Sequence, residues 1–148
     1  MAGRVTTHVV VDANFSVALV ASMPWSTEAK GKLVGWRTAG ALIYVPVLWE
    51  YEVVSAMRKI VRAALLTEDG ANHALETLFQ FSFQRVAPDL NLHRAALRWA
   101  SRLGQVVAYE AQYLALAEQL GAELWTADRR LAAQARELGV AWVRCITD

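Results

Sequence analysis

Short apolar runs alternate with helix-like stretches from one end of the chain to the other, and this alternation most constrains the fold. The runs are Thr7–Val11, "ALIYVP" at 41–46, "FQRVAP" at 83–88, "AELWTA" at 122–127 and "VAWVRCI" at 140–146. Most are apolar at successive positions rather than at every second one. A strand of that kind is buried on both faces, and helical crossovers between such strands imply a parallel sheet covered on both sides. The third run is the most polar and reads as a short edge strand.

The intervening segments carry helix punctuation. "NFSVALVAS" at 14–22 reads as a helix with Asp12 or Asn14 near its N-cap, closed by Pro24. "STEAKGKLVGWRTAG" follows, with Ser26 or Thr27 as cap and Glu28 in the first turn. Residues 47–64 form a long helix whose stripe is Val53, Met57, Ile60 and Ala64. Thr67 caps the helix over 66–81. Asp89 caps one that stops at Gly104. The stretch 106–121 is a helix ended by Gly121, and Asp128 caps the helix over 128–139. No repeat or linker interrupts this order, so 148 residues read as a single domain, 1–148.

Composition narrows the function classes. A net charge of +1 gives no overall basic field, so any contact with nucleic acid needs a local patch. Cys145 is the only cysteine, which excludes an intramolecular disulfide and fits a reducing compartment. The longest uncharged run, Ala13–Thr27, is broken by Pro24 and falls short of a membrane span. The start carries no signal-peptide pattern. The expectation is a cytoplasmic protein with no membrane partner. His8, His73 and His93 lack zinc-type spacing. No phosphate-binding glycine loop or serine-hydrolase elbow is present.

The acids carry the chemistry. Open parallel sheets bind ligands beyond the carboxyl ends of their strands, at a switch in strand order. Asp12 and Asp128 each follow a strand and open a helix. Glu52 and Glu110 lie on helix segments with apolar neighbours. Taken singly, the two aspartates read as ordinary caps and the two glutamates as solvated helix residues. Taken together, carboxylates gathered at one sheet end repel one another unless a cation neutralises them or some stay protonated. With only hard oxygen donors, the cation class is Mg²⁺ or Mn²⁺, which suits phosphodiester hydrolysis.

Three stretches carry a resemblance to a known family. "VVVDANFSVALV" places Asp12 at a strand end with Asn14 two residues on. "VPVLWEYEVVSAMRK" places an acid before Val and a small-residue helix, which selects Glu52 over Glu50. "YEAQYLALAEQLGAELWTADRRL" aligns Tyr109, Glu110, Thr126 and Asp128. In this order, over nearly the whole length, the chain resembles the PIN-domain family and, within it, toxins of the VapBC toxin–antitoxin type. The resemblance implies a three-layer α/β/α sandwich with a mostly parallel central sheet. It also implies a Mg²⁺- or Mn²⁺-dependent endoribonuclease, a homodimer, and inhibition by a small antitoxin protein. The site residues it implies are Asp12, Glu52, Glu110 and Asp128, as metal ligands and catalytic acids. The family usually has aspartate where this chain has Glu110. The longer side chain shifts the carboxylate, which implies reduced activity or a preference for Mn²⁺.

Around these acids, Asn14 and Thr126 read as local caps or as hydrogen-bonding supports. Arg129 and Arg130 are candidate RNA contacts. Arg58, Lys59 and Arg62 form a basic helix face, for which plain solvation is the simpler reading. Residues 15–25 and Trp36 offer apolar surface for an antitoxin or a dimer seam, with core packing the simpler reading. Two other readings remain open from sequence. One is a catalytically silent PIN-like module that binds protein or RNA. The other is a receiver-like domain phosphorylated on Asp12, which the missing acidic pair before Asp12 and the missing late lysine argue against.

Overall fold

A computed structural model describes residues 7–147. The central sheet is built from β1 (His8–Val11), β2 (Leu42–Pro46), β3 (Gln84–Val86), β4 (Glu123–Thr126) and β5 (Val143–Cys145). Strand order is β3-β2-β1-β4-β5, and every pairing is parallel. β1 lies at the centre because its three valines, Val9, Val10 and Val11, have no polar face to offer water and are fully buried.

The helices are α1 (Ala13–Val17), α2 (Ser26–Thr38), α3 (Leu48–Arg62), α4 (Glu68–Phe79), α5 (Leu90–Leu103), α6 (Tyr109–Leu120) and α7 (Arg129–Glu137). From β1 the chain winds outward through β2 to β3, then returns past β1 to β4 and β5. Right-handed crossovers that reverse direction change face, so helices cover both sides of the sheet. α6 lies across β1, β2 and β4 with α5 packed on it, and α7 lies on β4 and β5. This is the three-layer α/β/α arrangement expected, and the sheet is parallel throughout rather than mostly so. The reversal falls between β1 and β4, which sets the switch point at the carboxyl ends of those two strands.

Four local expectations are corrected. The first helix is one short unit, not 14–22. After Val17 the chain tightens into i, i+3 closures, Leu19 to Ser16 and Val20 to Val17. Ser26 does not cap α2. Its hydroxyl accepts from Met23 N and donates to Ala21 O, so it closes the preceding loop instead. Ala64 lies outside α3, exposed and at φ 58°, so the apolar stripe ends at Ile60. α6 starts at Tyr109 rather than at residue 106. Gly104, left-handed, and the Gln105 N–H to Ala100 O bond close α5, and Val106 and Val107 then run exposed as the connection.

Candidate active site

Four elements bring the four acids together. Asp12 follows β1 and caps α1. Asp128 follows β4 and caps α7. Glu52 comes from α3, and Glu110 from the first turn of α6. Their side chains line one cavity of about 280 Å³, together with Asn14, Lys59 and Tyr113. Carboxylates up to 116 positions apart in the chain therefore converge where the strand order reverses, as the alternation of strands and caps implied.

Each acid is held by a different set of donors. Asp12 accepts from the Phe15 N–H at 2.8 Å through one oxygen and from the Thr126 hydroxyl through the other. Its backbone carbonyl accepts from the Ser16 hydroxyl at 2.7 Å, and that hydroxyl accepts from Trp49 Nε1 at 2.8 Å. The fully buried Thr126 also accepts from the Asp128 N–H at 2.9 Å, so one hydroxyl ties the end of β1 to the start of α7. Asp128 Oδ1 accepts from the Arg130 and Leu131 N–H groups. Glu52 accepts from the Tyr113 hydroxyl at 2.6 Å. Glu110 accepts from Gln105 and pairs with Arg130 at 3.5 Å.

The electrostatics are those of a cavity short of positive charge. Burial, before any other cause, raises the Asp12 pKa from 3.8 to about 7; the Glu52 and Asp128 charges add to it, and the Thr126 and Phe15 hydrogen bonds offset part of it. Burial likewise lifts Glu52 above the usual carboxylate range. Its bond from Tyr113 opposes the shift, the Glu110 charge adds to it, and Lys59 opposes it. Glu110 is raised by burial and then by Asp128, against Arg130 and Gln105. Tyr113 is pushed well above the ordinary phenol range by burial and by Glu52, so it stays a donor. Protons or a cation must neutralise such a site, and its all-oxygen donor set fits Mg²⁺ or Mn²⁺ rather than zinc. Among the described residues no three acidic, imidazole or thiol side chains are already drawn around a common point.

The supporting residues divide. Asn14 is exposed at the cavity wall, and Thr126 bridges two of the acids' segments. Arg130 pairs with Glu110. Arg129 turns to the Thr147 hydroxyl at 2.8 Å and to its carbonyl. Of the basic face on α3, Lys59 lines the cavity, while Arg58 lies with Val54 and Glu68 against α4. Tyr109, singled out by its place beside Glu110, is 59% exposed; Tyr113, one turn further along α6, is the tyrosine that enters the site. Its signal was the i, i+3 spacing from Glu110, which puts both on one helix face. Lys59 carries the same signal, two turns from Glu52 on α3. Gln105, in the loop before α6, had none.

Comparison with known proteins agrees with this architecture. The PIN domain family model matches residues 9–137. Ribonuclease VapC3 of Pyrobaculum aerophilum is 34% identical over 124 residues, spanning 83% of this chain and 91% of that protein. Ribonuclease VapC3 of Mycobacterium tuberculosis is 36% identical over 125 residues, spanning 84% and 85%. The crystal structure of PAE2754 from Pyrobaculum aerophilum superposes with a TM-score of 0.69 at 24% identity, over 97% of this chain and 93% of that one. The last comparison speaks for the fold.

Proposed function

The chain belongs to the PIN-domain family, and on that premise we propose that it is a VapC-type endoribonuclease that hydrolyses RNA phosphodiester bonds with a divalent cation. The observation that carries the reading is the convergence of Asp12, Glu52, Glu110 and Asp128 on one cavity at the β1/β4 switch point. These four carboxylates would hold Mg²⁺ or Mn²⁺. When bound, such an ion supplies Lewis acidity toward the phosphoryl group and neutralises charge built up in the transition state.

The chain's own residues supply positioning. Thr126 and the Phe15 N–H fix both Asp12 oxygens, so Asp12 presents one orientation to the cavity. Tyr113 fixes Glu52 across the space between α6 and α3. The helix N-terminal amides of α7 fix Asp128. Lys59 is the ammonium at the cavity wall that meets an incoming phosphate. Arg130, paired with Glu110, can exchange that carboxylate for a phosphate oxygen when the acid turns inward.

The same reading extends to the biological setting: a toxin working in the cytoplasm, as a homodimer, restrained by a small antitoxin. Its support is the family and the relatives named ribonucleases. No helix among the described residues is long and apolar enough to cross a membrane. The partly apolar hollow formed by Val17, Met23, Trp25 and Ile60 beside the acids offers an antitoxin a seat. A second reading, a catalytically silent module, draws on one observation: Glu110 is engaged by both Gln105 and Arg130, and in that state is not free to ligate.

An RNA-cleavage assay with Mg²⁺, Mn²⁺ and EDTA, run on the wild type and Asp12→Ala, separates the two. Cleavage that EDTA and Asp12→Ala both abolish is expected. RNA left intact by the wild type with either metal would select the silent module.

A further inference from the structure

The acidic cavity does not end at Asp128. Asp128 also borders a second hollow of about 650 Å³, with Trp25, Arg129, Arg130 and Ile146. Glu28 and Ile146 carry that hollow into a third, of about 1000 Å³, between α2 and β5. Because neighbouring hollows share residues, one surface trough runs from the four carboxylates, past the N-terminus of α7, to the edge strand β5.

The outer trough is cationic and aromatic. Lys32 Nζ lies 4.4 Å from the Trp125 ring centroid, and the Arg144 guanidinium 5.5 Å from the same ring, while pairing with Glu123 at 3.3 Å on the strand beside it. Trp36 meets Trp125 edge-on at 5.9 Å. Arg129 and Arg130 flank the part nearest the acids. Beyond Asp128, Glu28 is the one carboxylate residue lining either outer hollow among the described residues.

Two further observations point to an occupant. Gly31 and Gly35 lie one turn apart on α2 and line the third hollow, yet a Cβ at either would meet nothing within 4 Å. Packing inside this chain gives no reason for glycine there, and glycine inside a helix is less stable than alanine. The missing side chains leave α2 open to close approach from outside. Trp125 is 7% exposed, and its indole N–H has no acceptor among the described residues; the same holds for the Trp25 N–H in the second hollow. Both N–H groups are closed off from water, so an acceptor reaches them only where the covering side chains move aside.

We propose that this trough takes the single-stranded RNA continuing beyond the scissile phosphodiester, with phosphates against Lys32, Arg129 and Arg144, and bases against the partly exposed Trp25 and Trp36. The inference rests on the ribonuclease reading. Cationic grooves with aromatic walls hold single strands by pairing with phosphates and by stacking on bases. Continuity with a site for phosphodiesters favours RNA over an acidic peptide, which carries charge but no bases.

The test is binding of fluorescent single-stranded RNA, in EDTA so that nothing is cut, comparing a strand long enough to fill the trough with one that fills only the acidic cavity. Lys32→Ala/Arg144→Ala should weaken binding of the long strand about tenfold and flatten the slope of log affinity against log salt by about 1.4, or about 0.7 for each phosphate no longer neutralised. Gly35→Leu, built into open space on α2, should weaken the long strand without changing the slope. Thiouridine-containing RNA should cross-link to peptides carrying Trp25 or Trp36. Unchanged affinity and slope in both variants would overturn the inference, as would binding of fluorescent polyglutamate with no RNA binding at all. Metal-dependent cleavage by the wild type is read separately. If cleavage is absent while trough binding persists, the ribonuclease reading fails alone. If cleavage is present while both variants bind long RNA as the wild type does, the trough fails alone.

Discussion

The Tyr113 hydroxyl on α6 donates a 2.6 Å hydrogen bond to Glu52 on α3, joining the third helix to the sixth across the mouth of the acidic cavity. The phenol is buried and held well above the ordinary phenol range by burial and by Glu52, so it serves as the donor. Tyr113→Phe should leave the fold intact and free Glu52 to wander. We expect divalent-metal affinity to fall by about 10-fold to 100-fold, as for other residues that orient a ligand. Calorimetric titration with Mn²⁺ measures it; a titration curve like that of the wild type would show that Tyr113 does not orient Glu52.

The raised acids make metal-free stability depend on pH. Asp12 has a folded pKa of about 7 against 3.8 for an unperturbed aspartate, and Glu52 and Glu110 shift the same way. Between those values the folded chain binds more protons than the unfolded one, so stability is greatest at the acid end and is lost as pH rises through the folded pKa. In EDTA, Tm should fall by a few degrees between about pH 5.5 and about pH 8. Mg²⁺ or Mn²⁺ should restore it, and more at the alkaline end. Thermal scans at both pH values, with and without metal, test this. A metal-free Tm that rises with pH would contradict it.

Glu110 is engaged by Gln105 and Arg130 at the cavity wall. Glu110→Asp shortens the side chain, weakens its reach to both and restores the residue usual in the family. Metal-dependent cleavage should be kept or should rise. A folded Glu110→Asp protein that loses cleavage would show that the longer side chain is required here.

Ser16 is a buried relay. Its hydroxyl donates to the Asp12 carbonyl and accepts from Trp49 Nε1, and both Ser16 and Trp49 are fully buried. Ser16→Ala strands the indole N–H away from water, which costs about 1–3 kcal/mol. Urea unfolding should report that loss with an unchanged m-value. Trp49→Phe, which removes the donor, should recover part of the loss in the double variant.

How much of this could be read from sequence depends on the range of each interaction. Asp12 and Asp128 were legible because a strand running straight into a capping aspartate is a local pattern, and both caps are observed. Glu52 and Glu110 were legible through the family's motifs, and their cavity through the rule for parallel sheets. Tyr113 was missed because Tyr109 adjoins Glu110 in the chain, whereas adjacency on a helix runs by turns. Arg129, a candidate RNA contact, also bonds Thr147 across 18 residues, which leaves no local trace in the sequence. The end of the first helix was misread because Ser26, not Pro24 alone, closes the loop after it.

The bond from Thr126 to Asp12 spans 114 positions. The second Asp12 oxygen cannot be held until β4 has docked beside β1. Before β4 is in place, Asp12 is held by the Phe15 N–H alone, with its other oxygen unfixed. The four carboxylates therefore share one cavity only once β4 stands beside β1.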